Sequence, residues 1–129
     1  MARARAPKIL VIDDDRTFTT MIASLLQTAG YKTELAFDAM QGFMFAQREP
    51  PALVLLDLSM PAGGGMQVLE RLRHSAKTHN VPVIIVTGTG DARMEAEAKA
   101  KGVAAVVTKP VDPKGIVELV KQALEREED

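Results

Sequence analysis

Three carboxylates in a row, Asp13, Asp14 and Asp15, follow directly on the apolar run of "KILVIDDD". Neighbouring like charges repel, so such a block at the end of a buried strand needs a counter-charge or abundant solvent. A hard divalent cation is one answer. Magnesium prefers oxygen ligands, keeps several waters and uses one or two carboxylates. A fourth carboxylate, Asp57, ends the run "PALVLLD", while two later runs end in Thr87-Gly88 and in Thr108-Lys109-Pro110. Brought together, these groups form a phosphoryl-transfer set. Asp57 stands alone at its strand end and is the candidate nucleophile toward phosphorus. Asp14 and Asp57 would ligate the cation, with Asp13 holding a water, and the cation would offset repulsion between carboxylate and phosphoryl oxygens. Lys109 and the Thr87 hydroxyl would bind the oxygens of the transferred group, helped by the Gly88 amide.

Each group also has a plainer reading. Asp13 and Asp14 could be a solvated strand end, Asp57 a turn cap, Thr87 the start of a loop and Lys109 surface decoration. The elements that carry them decide whether they meet. Short apolar runs recur as "ILVI", "ALVLL", "VIIV" and "VAAVV", with a weaker one in "YKTELAF". Continuous apolar runs suit parallel strands covered on both faces. Helical patterns lie between them. Phe18, Met21, Ile22, Leu25 and Leu26 keep helical spacing up to Gly30, and Asp15 is placed to cap that helix near Arg16. Asp38 caps a second helix with Met40, Phe43 and Met44, weakened by Gly42. "GMQVLERLRHSA" sets Leu69 and Leu72 on one face. "DARMEAEAKAKG", from Asp91 to Lys101, has good helix formers but little apolar bulk. "DPKGIVELVKQALER" opens on an Asp cap and Pro113 and repeats Ile116, Leu119, Val120, Ala123 and Leu124. Met21, Met40, Met44 and Met94 are expected as core filler. The pattern is (βα)₅, an α/β fold with five parallel strands and helices on both faces. Such sheets bind ligands beyond the carboxyl ends of their strands, which is where every candidate group falls.

The totals narrow the function classes. The chain has 129 residues, about one ordinary domain, and is 47% apolar, enough for one core. Sixteen basic against seventeen acidic residues argue against a nucleic-acid or membrane surface as main partner. Absence of Cys excludes disulfide and thiolate chemistry, and two histidines, His74 and His79, make a histidine-based zinc site a poor reading. His74 is better explained by favourable charge at a helix C-terminus. No apolar run approaches the ~20 residues that span a bilayer. Residues 1–7, with Arg3 and Arg5, read as a loose arm, and residues 127–129 as the fraying end of the last helix, leaving 8–126 as one domain.

The ordered set "ILVIDDD", "LVLLDLSMP", "VTG" and "TKP" resembles the receiver domain of two-component response regulators, of the chemotaxis-regulator-like single-domain type. The resemblance covers nearly the whole chain. It implies a doubly wound, flavodoxin-like sheet with strand order 2-1-3-4-5. It implies Asp57 as phosphoacceptor, Asp13 and Asp14 as the acidic pair, Thr87 as the switch hydroxyl and Lys109 as the phosphate-contacting lysine. Magnesium, with manganese tolerated, would also take the backbone carbonyl of Ser59. The Lys109–Pro110 bond is similar to one that is usually cis. "SMPAGGG" matches the Met-Pro loop with Gly65 at the usual glycine, and Gly63 and Gly64 look more permissive than needed. The implied partners are a histidine kinase or phosphotransfer protein and a downstream protein met through the face of helix 4, strand 5 and helix 5. Direct nucleic-acid contact and membrane insertion are not expected. The implied state is a cytoplasmic monomer or weak dimer that catalyses its own phosphorylation and dephosphorylation without turning over a separate substrate. No DNA-binding motif follows within the sequence, so output is expected through protein contact or further phosphotransfer.

Two features depart from the pattern. Val106 stands where an aromatic residue usually turns inward with the switch hydroxyl. Ser59 and Thr89 are small hydroxyls at positions whose counterparts in the family, by that resemblance, tune acyl-phosphate hydrolysis. Two rival readings remain. Asp13, Asp15 and Thr17 spell D-x-D-x-T, which resembles the first motif of haloacid-dehalogenase-type phosphatases, but the later acidic pair is missing and Asp57 would be unused. The other rival is a receiver-like interaction module that no longer uses phosphate.

Overall fold

The computed structural model describes residues 6–88 and 91–128. Arg3, Arg5 and Thr89 lie outside the described residues. Strand and helix alternate along the chain: β1 Lys8–Ile12, α1 Arg16–Thr28, β2 Lys32–Ala36, α2 Ala39–Arg48, β3 Leu53–Leu56, α3 Gly64–His74, β4 Val83–Thr87, α4 Ala92–Ala100, β5 Ala105–Thr108 and α5 Pro113–Glu128. All pairings are parallel, in the order β2-β1-β3-β4-β5. This is the flavodoxin-like order that the resemblance implied.

β3 and β4 are buried along their whole length, which explains why they read as unbroken apolar runs. The edge strands β2 and β5 are mostly half-buried, so they tolerate polar residues such as Lys32 and Glu34. The sheet separates two apolar clusters. Leu10, Ile12, Val54, Leu56 and Ile85 face α2, α3 and α4. Ile9, Val11, Leu53, Leu55 and Ile84 face α1 and α5, meeting Phe18, Ile22, Leu26, Ile116 and Val120. Each fully buried Leu or Ile stabilises the fold by ~1.5–3 kcal/mol relative to exposure.

One sequence expectation is corrected here. Met21, Met40 and Met44 are exposed, Met40 by 80%, and only Met94 packs against the core. The buried stripe of α2 is Gly42 and Ala46 instead. Gly42 lies directly on Ile12, where an added Cβ would stand 2.7 Å from Cδ1. The glycine that weakens α2 as a helix lets it approach β1 closely, and that rotates the methionines outward.

Candidate functional site

Register decides which side chains meet. Ile12 pairs with Ala36 on one side and Leu56 on the other, and the Asp57 amide donates to the Ile12 carbonyl at 3.0 Å. The residues after these pairs, Asp13 and Asp57, therefore leave adjacent strands side by side. They do so where the strand order reverses around β1, the position at which open α/β sheets form a crevice. On the other flank Thr87 pairs with Thr108, and the Lys109 amide donates to the Thr87 carbonyl at 2.8 Å. The Lys109–Pro110 bond is cis.

Oxygens of Asp13, Asp14 and Asp57 lie within 4.8 Å of one another. Asp13 and Asp57 are buried and Asp14 is exposed, so the cluster opens to solvent on one side. Lys109 reaches in from β5. Its Nζ donates to Oδ2 of Asp13 at 2.7 Å and lies 3.8 Å from Oδ2 of Asp57. Oδ1 of Asp13 accepts from the Asp15 amide at 2.9 Å. Burial nevertheless dominates, holding the Asp13 carboxyl up at about 6 against an ordinary 3.8; the hydrogen bonds from Lys109 and Asp15 only partly offset it.

Asp57 is fixed by the loop that follows it. Its Oδ1 accepts from the Ser59 amide at 2.8 Å and from the Ser59 hydroxyl at 2.6 Å. Gly65 makes that loop possible. A Cβ there would collide with the Asp57 carbonyl oxygen and stand 2.5 Å from Cα of Leu58. The neighbouring glycines are used as well, contrary to the expectation of excess permissiveness. Gly63 adopts φ +69, and a Cβ on Gly64 would come 3.1 Å from Cβ of Ala39. Ala62 also has positive φ, at 59, so the turn into α3 is confined on several sides.

Thr87 is fully buried at the end of β4. A Cβ on Gly88 would stand 3.9 Å from Oγ of Ser59, which puts the Gly88 backbone beside the Asp57 loop. Asp15 is the N-cap of α1, its Oδ1 accepting from the Phe18 amide at 3.0 Å. That contact leaves the D-x-D-x-T arrangement without its second carboxylate at the cluster. His74 is the last residue of α3, with Nδ1 2.7 Å from the Glu70 carbonyl, in keeping with a role at the helix end. Sequence reasoning missed Phe18 as a site residue: its ring centroid lies 4.5 Å from Nζ of Lys109. Its helical spacing is fully accounted for by the core, so no signal in the sequence marked a second contact.

The donor set suits a magnesium ion. Every available ligand is a hard oxygen, the charge is concentrated, and the exposed side of Asp14 leaves room for waters. Octahedral oxygen donation would suit manganese too.

The profile of the response regulator receiver domain matches residues 9–121. The chain belongs to that family. Receiver domains interact with histidine kinases and downstream effectors in two-component systems. A receiver domain protein described as CheY-like, from Methanospirillum hungatei, superposes with a TM-score of 0.89 at 28% identity, covering 95% of this chain and 97% of that one. The chemotaxis protein CheY4 of Vibrio cholerae gives 0.80 at 28% identity, covering 95% and 98%. The DNA-binding dual master transcriptional regulator RpaA of Synechocystis sp. is 32% identical over 120 residues, which is 93% of this chain and 50% of RpaA. The chain spans about half the length of the curated relatives it matches.

Proposed function

We propose that this receiver domain takes a phosphoryl group from a histidine kinase or phosphotransfer protein onto Asp57, and that the acyl phosphate changes the surface it offers to a partner protein. The observation that carries the reading is the buried Asp57 carboxylate beside Asp13 and Asp14, with the Lys109 ammonium 3.8 Å from its Oδ2.

Ser59 holds Oδ1, which leaves Oδ2, on the Lys109 side, as the attacking oxygen. An O–P bond forms from Oδ2 as the P–N bond to the donor histidine breaks, and the electron pair of that bond leaves with the imidazole nitrogen. Asp13, Asp14, Asp57 and the Ser59 carbonyl would hold magnesium, whose charge offsets that of the phosphoryl oxygens. Lys109, now beside Asp57, pairs with one phosphoryl oxygen, and the Gly88 amide and Thr87 hydroxyl receive the others. Hydrolysis by water returns phosphate and the free carboxylate.

The output face in this reading is α4, β5 and α5. Only Ala98 of α4 is buried, so little apolar packing resists its movement. Its C-terminal end is better held: the Arg73 guanidinium donates to the carbonyls of Lys101 and Gly102 at 2.9 and 3.3 Å. Movement is thereby directed to the end of α4 nearer Thr87. Val106 is half-buried on the same side and has no ring to swing, so the change rests on Thr87 and backbone shifts and is modest.

Acetyl phosphate with magnesium should add one phosphoryl group, seen as a mass increase, and peptide mapping should find it on Asp57. Asp57→Asn should take no label. Full labelling of D57N, with the group mapped elsewhere, defeats the assignment.

A further inference from the structure

We infer that Phe18 is a positioning residue for Lys109: its ring holds the lysine ammonium at the mouth of the acidic cluster, ready to turn from Asp13 toward a phosphoryl group on Asp57. The inference rests on the phosphoacceptor reading above.

Three contacts surround the ammonium. It donates to Oδ2 of Asp13 at 2.7 Å, stands 3.8 Å from Oδ2 of Asp57, and lies 4.5 Å from the Phe18 ring centroid. The distance to the ring is within the range in which the negative face of an aromatic attracts a cation. Lysine has three N–H donors and no preferred plane, so it needs external guidance to point one way. The ring attracts the charge without offering a lone pair, so it holds the ammonium in place without locking its donors. A carboxylate in the ring's place would form a second strong ion pair and keep Lys109 from its phosphoryl contact. The gap to Asp57 is too long for a hydrogen bond, so the ammonium is not committed to that carboxylate.

Phe18 is itself well fixed. Its side chain is 8% exposed and belongs to the cluster beneath α1 and α5. Its amide donates to Oδ1 of Asp15, the N-cap of α1. The amide of Asp15 in turn donates to Asp13. The third carboxylate of "IDDD" thus sets the height of the Phe18 ring relative to the Asp13–Lys109 pair. This gives Asp15 a consequence for the site although its side chain caps α1 and is not one of the clustered carboxylates.

The test compares Phe18→Leu, which keeps an apolar side chain, with Phe18→Tyr, which keeps the ring, in both the parent and a Lys109→Ala background. Initial rates of phosphorylation by acetyl phosphate at saturating magnesium should fall about three- to tenfold in F18L, the range of a modest cation–π attraction. F18Y should restore most of that loss. In the K109A background F18L should cost nothing further, because the ring acts through the ammonium. A second readout does not need activity: the Lys109 ε-methylene protons should be shifted upfield by the ring in the parent and in F18Y, but not in F18L. Parent rates in a folded F18L overturn the inference, and so does an equal loss with and without Lys109, which would mark a purely structural role. Unshifted ε-protons in the parent overturn it even if F18L fails to fold. Failure of the parent to label at Asp57 is a different outcome: it removes the phosphoacceptor reading, and the positioning role with it.

Discussion

The amide and the hydroxyl of Ser59 converge on one oxygen of Asp57, Oδ1, at 2.8 and 2.6 Å. The carboxylate is therefore held in one orientation, with its other oxygen on the Lys109 side. Ser59→Ala removes the hydroxyl bond and keeps the amide bond. The metal-free protein should lose ~1.5–3 kcal/mol of stability, the usual worth of a hydrogen bond to a charged group. Labelling at Asp57 should persist, since the amide still fixes Oδ1. Urea melts and intact-mass kinetics read the two effects separately; a complete loss of labelling in S59A would show that the hydroxyl, and not the amide, sets the geometry.

Gly65 allows the start of α3 to lie against the backbone of Asp57 and Leu58. The obstructing atoms are backbone, so Gly65→Ala has no flexible side chain to push aside. It should cost ~1–3 kcal/mol, and the loop shift that relieves the clash should move Ser59 away from Oδ1. Slower phosphorylation than in S59A is the expected result. A G65A protein with parent stability and parent rate would mean that α3 shifts freely, against the close approach described.

Much of this arrangement can be read in the amino-acid order. β1, β3 and β4 announce themselves because both faces are covered and apolar residues fill every position but Lys8 at the start of β1 and Thr87 at the end of β4. Parallel strands carry their carboxyl ends to one rim, so Asp13, Asp57, Thr87 and Lys109 fall together once the strands are found. The pairing of Ile12 with Leu56 cannot be read in that way, since it depends on backbone alignment across the sheet. The orientation of α2 also escapes. Met40, Phe43 and Met44 satisfy helical spacing, but with Gly42 packed closely on Ile12 only Phe43 of the three meets the core, and Met40 and Met44 are exposed. Phe18 satisfies the core pattern, which hides its contact with Lys109.

The Gly42–Ile12 contact makes a prediction of opposite sign to helix propensity. An exposed Gly→Ala change inside a helix gains ~1 kcal/mol. At Gly42 the new methyl would meet Cδ1, Cγ2 and Cγ1 of fully buried Ile12 at 2.7–3.0 Å. Gly42→Ala should therefore destabilise by ~1–3 kcal/mol. Ile12→Val removes Cδ1 and should itself cost ~0.5–1.5 kcal/mol. Together they should cost less than the sum, because the smaller side chain relieves the overlap. Thermal or chemical melts of the four proteins measure the coupling; strict additivity contradicts the contact.

The last prediction concerns Asp13, whose carboxyl is held at about 6 chiefly by burial. Its pKa is raised above the unfolded value of about 3.8, so the folded chain keeps a proton between these limits that the unfolded chain has released. The resulting stability is complete below the unfolded value and is lost as pH rises through about 6. At neutral pH, without metal, ionised Asp13 is therefore a cost of ~1–3 kcal/mol. Asp13→Asn removes that cost. It also removes the Lys109 partner at 2.7 Å, but Asp57 remains near enough to take the ammonium. The stability difference between D13N and parent should grow from pH 4 to pH 7 in D13N's favour and then level off. Comparing the two proteins cancels the titration of carboxylates far from the cluster. Magnesium should reverse the order. Binding to the folded arrangement should stabilise the parent in a saturable way and D13N much less. Holding ionic strength constant with sodium chloride separates site binding from screening. A pH-independent difference, or a D13N protein that melts below the parent at neutral pH without metal, would show that the bonds from Lys109 and Asp15 outweigh desolvation at this carboxylate.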